Sequence, residues 1–235
     1  MKWSEFFTSS VGKKFVMGLT GLFLISFLIV HVGVNACIWA NDNGEMFNKA
    51  AHFMGSTVVI RILEVGLFVG FLIHIIQGLV LEFQNRTKRG IGYKINLGNK
   101  GSKWYSRSMG LLGTLILLFL ILHLSHFWVP SRFGGMWNVH ELQPVTYDNG
   151  KEIHNLYAEI LSVFQGNLIV VIIYVAGCIS LAWHLMHGFQ SAFRSIGLYN
   201  NRYLKIANAS GIAFSIIVPL AFAMMPVSVY LGWIG

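Results

Sequence analysis

Charge is scarce in this chain. Of its 235 residues only 11% are Asp, Glu, Lys or Arg, whereas a soluble globular domain carries about 25%. So few charges cannot cover a water-facing surface, which excludes the soluble globular class. Acids are the scarcer sign, nine Asp and Glu against seventeen Lys and Arg. Within the long apolar stretches they dwindle to Glu64 and Glu82, near the two ends of one stretch. Proton-relay transporters mix buried carboxylates with histidines, so that class is a secondary reading. Cysteine is nearly absent too. Cys37 and Cys178 form neither a C-x-x-C-H haem attachment nor a zinc spacing. Covalent haem and cysteine-held clusters are thereby excluded, and the two thiols, on different apolar stretches, read as buried apolar residues and not as a disulfide. A flavin fingerprint and any sizeable soluble segment are missing as well.

Apolar length is what remains. The chain is 55% hydrophobic with a mean hydropathy of +0.62. About 20 apolar residues cross a bilayer, and five segments reach that length, near 15–38, 60–84, 107–129, 164–190 and 207–234. The expected fold is an all-α integral membrane protein, residues 1–235 forming one domain of five transmembrane helices in one bundle. The first apolar run is too long for a signal-peptide core and lacks a small-residue cleavage site, so it reads as a retained span. Ahead of it, Met1–Val11 combines Trp3, Phe6 and Phe7 with Lys2 and Glu5, which suits a short interfacial helix. Pro219 and Pro226 predict a kink or early breaks in the last span.

Lys and Arg set the orientation. Arg86, Lys88, Arg89, Lys94, Lys100, Lys103 and Arg107 lie between spans two and three; Lys2, Lys13 and Lys14 precede span one; Arg194, Arg202 and Lys205 follow span four. The opposite side holds only Lys49, Arg61, Arg132 and Lys151. The positive-inside rule puts the N-terminus in the cytoplasm and the C-terminus outside. The net charge of +8 thus marks a cytoplasmic face, one suited to docking a partner, and calls for no nucleic acid.

Four of the spans carry a histidine, and the four pair by depth. His31 is 17 residues past Lys14 and His123 is 16 past Arg107, about 25 Å from the cytoplasmic edge at 1.5 Å per residue. His74 is 12 residues before Arg86 and His184 is 10 before Arg194, about 15–18 Å from that edge. Histidine inside a membrane is costly and functional by default. Two depth-matched pairs on four spans are the arrangement that two bis-histidine, non-covalent b haems require. Gly78 and Gly188 each follow a histidine of the second pair by four residues, on the same helix face, where a missing side chain leaves room for a flat macrocycle or lets helices pack closely. His126 and His187, three residues after His123 and His184, share nearly the same faces and compete for the ligand roles; depth favours His123 and His184. His52, His140 and His154 fall in outer loops.

Arg61 and Glu64 lie one turn apart at the outer boundary of span two. One reading is an interfacial intrahelical ion pair. The other is a quinone-binding corner in which Glu64 exchanges a proton with quinol and Arg61 orients it. Ser9, Ser10, Lys13 and Lys14 are the inner-side alternative, although they also suit a helix start with snorkelling lysines.

Four stretches carry a family resemblance: SSVGKKFVMGLTGLFLISFLIVHVGVN in the first span, HIIQG in the second, LFLILHLSHFW in the third and WHLMHGFQSAF in the fourth. Over its whole length the chain resembles the single-polypeptide, five-helix, di-haem cytochrome b anchor of succinate dehydrogenases and fumarate reductases, most of all the form found in Bacteroidetes-type bacteria. The resemblance implies that His31 and His123 ligate the haem distal to the cytoplasm and His74 and His184 the proximal one. It implies a flavoprotein subunit and an iron–sulfur subunit as partners, a bacterial cytoplasmic membrane as location, and quinone as substrate, menaquinone being the expected form. Succinate itself would be oxidised by the flavoprotein, not by this chain. Some di-haem fumarate reductases carry a glutamate two residues before the fourth-span ligand; here that residue is Ala182, which puts such a proton path in doubt. A di-haem cytochrome b serving a hydrogenase, a formate dehydrogenase or ascorbate reduction is the nearest alternative.

Overall fold

A computed structural model describes residues 9–89, 103–147, 150–198 and 200–235. The expected interfacial helix at Met1–Val11 lies mostly outside them, as does much of the basic segment between spans two and three. Among the described residues five helices are long and apolar enough to cross a membrane, so the chain reads as a multi-pass membrane protein.

The first is α1, Ser10–Ala36, continued by a 3₁₀ turn Cys37–Ala40. Ser9 caps it, its Oγ accepting from Gly12 N at 3.0 Å, which satisfies one of the free donors at a helix start. Asn41, Asn43 and Gly44 then adopt left-handed backbone conformations and turn the chain into α2, Glu45–Ser56. Only Thr57, extended at φ −74° and ψ 125°, separates α2 from α3, Val58–Arg89. The short α4, Trp104–Arg107, precedes α5, Met109–His123. The backbone then widens into a π-helical turn, Leu124–Trp128, before α6, Val129–Phe133.

A two-stranded antiparallel ribbon follows, β1 Pro144–Thr146 with β2 Glu152–His154, Val145 opposite Ile153. Next come α7, Leu156–Phe164, capped by Asn155, and α8, Leu168–Ser195. Asn167 Oδ1 accepts from Val170 N at 3.2 Å at the start of α8. Span four was expected from residue 164; the cap at Asn167 and Gly166 at φ 73° place its start later. The last helix, α9, Asn201–Tyr230, runs unbroken through Pro219 and Pro226. The early breaks expected from those prolines are absent. A bundle can re-satisfy the carbonyls that proline leaves unpaired.

The chain clusters into two compact units. The first comprises Met1–Leu28, Val65–Leu115 and Ser180–Ile217, and its core is built on Ile25, Leu185 and Phe189. There α1 and α8 approach closely: a Cβ on Gly18 would lie 3.0 Å from Ser195 Cβ and 3.1 Å from Ala192 O. Small residues allow this backbone approach between membrane helices. The second comprises Ile29–Glu64, Ile116–Ile179 and Val218–Gly235. Its core gathers Ile38, Phe47, Phe164, Tyr174 and Val229. Along α3 the large apolar residues Val58, Ile62, Val69, Leu72, Ile76 and Phe83 are exposed, as befits a surface solvated by lipid.

Candidate functional site

Each unit brings one expected histidine pair together. In the second unit the rings of His31 and His123 lie with centroids 5.8 Å apart and planes at 85°. In the first unit those of His74 and His184 lie 6.2 Å apart at 65°. Iron between two imidazoles, with metal–nitrogen bonds of about 2 Å, would place ring centres roughly 6 Å apart. The spacing of both pairs therefore fits a bis-histidine iron site. Among the described residues no group of three or more His, Cys, Asp or Glu could hold a metal ion. A haem asks for only two protein ligands, because the macrocycle supplies the other four.

Thr20 hydrogen-bonds the ring of His74. Thr20 Oγ1 donates to Val16 O at 2.8 Å and lies 3.1 Å from His74 Nδ1. In the tautomer with its proton on Nδ1, the His74 ring donates to the threonine oxygen. That leaves the Nε2 lone pair available to a metal, the usual division of labour in a ligating histidine. His31 is held differently: Asn35 Nδ2 donates to His31 O at 2.8 Å and stands 3.3 Å from His31 Nδ1. The Nδ1 atoms of His123 and His184 are buried with no hydrogen-bond partner among the described residues.

Glycines line the rings where the sequence did not point. A Cβ on Gly21 would stand 3.7 Å from His74 Cε1, and one on Gly113 would stand 3.9 Å from His184 Cε1. The two glycines singled out from the sequence behave unequally. Gly188 faces open space, whereas a Cβ on Gly78 would meet Met17 Cε at 3.2 Å. Around the other pair the lining is aromatic: Phe222 stands 5.4 Å from His31, and Phe119 and Phe127 stand 5.7 and 5.4 Å from His123, centroid to centroid.

His126, the competitor in span three, stacks on Tyr174 and not on His31. Its Nδ1 is 2.9 Å from the Tyr174 hydroxyl. It belongs to the π-helical turn that begins just after His123. Such turns often mark functional positions, and this one was not legible in the sequence. The outer histidines do not all sit in loops as expected. His52 belongs to α2 and His154 to β2. Burial first, then the charges of Lys151 and His154, lowers the pKa of His52 below its ordinary 6.5. His140 Nε2 lies 3.0 Å from Glu159 Oε1.

Arg61 and Glu64 do meet, Nη1 to Oε2 at 3.0 Å, but they belong to a larger cluster. Glu64 Oε1 accepts from Trp128 Nε1 at 2.6 Å and from Arg132 Nε at 3.1 Å; Oε2 also accepts from Arg132 Nη2 at 3.1 Å. A carboxylate offers about four acceptor positions, and four donors take them. Sequence reasoning missed Trp128 and Arg132. Their i, i+4 spacing puts them on one helix face, a signal that was present, yet nothing local says that this face meets Glu64. On the other candidate side, Lys13 Nζ donates to Gln84 Oε1 at 3.2 Å and Ser9 is spent as a cap.

No protein-family model matches the chain, and no curated protein or solved structure matches it either.

Proposed function

We propose that this chain is the membrane-anchoring, di-haem cytochrome b subunit of a succinate:quinone oxidoreductase, set in a bacterial cytoplasmic membrane as a five-helix bundle with its N-terminus inside. The observation that carries the haem reading is the two histidine pairs, on four different spans, with ring centres 5.8 and 6.2 Å apart. The assignment to succinate and fumarate rests on the resemblance of the four span motifs alone.

In this reading His31 with His123 and His74 with His184 hold two b haems without covalent links. The bound haems would supply one-electron transfer between an iron–sulfur partner and membrane quinone. The protein's own contributions are ligation, a hydrogen bond between Thr20 and the His74 ring, and apolar helices that keep water from the rings. The flavoprotein and iron–sulfur partners dock on the basic cytoplasmic side. Quinone, menaquinone in the expected form, meets the corner of Arg61 and Glu64. Arg61 is the most exposed of the four residues there. It is the donor best able to leave Oε2 for a quinone carbonyl, opening that oxygen to the proton released from quinol.

Optical spectra of the purified complex, oxidised and dithionite-reduced, test the proposal. Two b haems per chain, co-purifying with a flavoprotein and an iron–sulfur protein that together reduce quinone with succinate, are expected. A haem-free chain would overturn the cytochrome reading. Two haems with a hydrogenase or formate dehydrogenase as companion would keep the cytochrome and overturn the succinate assignment.

A further inference from the structure

Gln77 is an unexplained polar group of the first unit. It lies within a membrane-spanning helix, Val58–Lys88, and its Nε2 is buried with no hydrogen-bond partner among the described residues. A buried donor left without an acceptor is destabilising, the more so where lipid replaces water. Asn208 Oδ1, an acceptor of the same unit, is also buried and unpaired, so the two amides do not satisfy each other.

Its position says what could take the hydrogen bond. Gln77 follows His74 by three residues, on nearly the same helix face. It lies about 4.5 Å further along the axis, toward the end that carries Arg86 and Lys88. Beside it, Gly78 has no side chain and packs under Met17, whose Cε a Cβ there would meet at 3.2 Å. A haem held by His74 and His184 brings two anionic carboxylates with it. Inside a membrane these need donors, and they are best placed toward the basic end of the span. Gln77 supplies a neutral N–H donor on that side of the ring. We propose that the Gln77 side-chain amide donates to a carboxylate of the haem held by His74 and His184. This inference rests on the haem reading given above.

Its effect is electrostatic. A donor on the carboxylate draws negative charge away from the iron and so favours the reduced metal. Without it, the oxidised form is favoured. The test is a redox titration of the purified complex carrying Gln77→Leu, Gln77→Asn or no substitution. In Gln77→Leu, the haem that His74→Ala removes should show a three- to tenfold lower reduced-to-oxidised ratio at fixed potential. At 59 mV per tenfold for a one-electron couple, that is about 30–60 mV. The other haem should titrate as before, and Gln77→Asn should fall between. Unchanged potentials for both haems in the Leu and Asn proteins would overturn the proposal. So would loss of that haem from both variants alike, which would make Gln77 a packing residue. Loss from the Leu protein alone, with the Asn protein keeping the haem at a lowered potential, supports it. An unsubstituted protein without haem defeats the underlying reading instead, a result distinct from all of these.

Discussion

Thr20 and His74, on different helices and 54 residues apart, are joined through Oγ1 and Nδ1 at 3.1 Å. In the tautomer with the imidazole proton on Nδ1, Thr20 accepts it and the Nε2 lone pair is left for a metal. Thr20→Val keeps the shape and removes the acceptor. Outer-shell partners of this kind are worth about 10–100-fold in affinity for the bound metal group. The Val protein should therefore lose haem from the His74 site more readily during purification or on dilution into competing apo-globin. Thr20→Ser should behave as the parent does. Equal haem retention in all three proteins would remove the tautomer role.

The ligand choice in span three is open to a direct comparison. His123→Ala should remove one haem and leave the optical signature of the other, as should His31→Ala. His126→Ala should keep both, because the ring that faces His31 is that of His123, 5.8 Å away, whereas the His126 ring stacks on Tyr174. Haem counting by pyridine haemochrome on the three proteins decides it. Two haems in the His123→Ala protein, with one in the His126→Ala protein, would reverse the assignment.

Much of this was legible in the sequence, and the reason is the bilayer. Lipid demands long apolar helices, so five spans could be read from length and composition, and the helical rise converted residue number into depth. His31 with His123, and His74 with His184, follow from that one-dimensional arithmetic. Side-to-side relations are different in kind. Nothing in the local sequence says that Gly21 and Gly113 back onto the two rings of the first unit, or that Trp128 and Arg132 reach Glu64. Those contacts depend on helix rotation, which packing decides. The π-helical turn at Leu124–Trp128 adds a local shift that a 3.6-residue period does not contain. The helices α2 and α7 of the outer segment are short and carry no comparable apolar length.

His52 offers a pH test outside the membrane spans. Burial and the nearby positive groups lower its pKa below 6.5. The unfolded chain therefore binds more protons than the folded one between that lowered value and 6.5, and stability rises with pH across this window. The contribution is complete above pH 6.5 and is lost as pH falls below it. Thermal unfolding of the detergent-solubilised protein, followed from pH 7.5 down to 5, should show a Tm that declines below about 6.5. His52→Gln should flatten that decline. An identical pH profile for the Gln protein would assign the decline to other groups.

Glu64 sits at the centre of four donors. Arg132 grips both carboxylate oxygens, and Trp128 fixes Oε1 at 2.6 Å. The carboxylate is thus oriented by two residues from beyond its own helix, while Arg61 holds Oε2 from the same helix, with 48% of its side chain exposed. Glu64→Gln replaces one acceptor oxygen by a donor that must face donors. Quinone turnover should be abolished in that protein, although succinate still reduces both haems. Trp128→Phe removes one charge-assisted hydrogen bond and keeps the ring, so a turnover loss of about tenfold is expected with full haem content. Arg61→Lys should raise KM for quinone more than it lowers kcat, since a point charge replaces a planar fork. Steady-state quinone kinetics beside haem reduction by succinate separate these effects. Normal turnover in the Gln protein would take Glu64 out of the reaction, leaving it as the residue that ties α3 to α6, and would turn the search for the quinone site to Ser10 and Lys14.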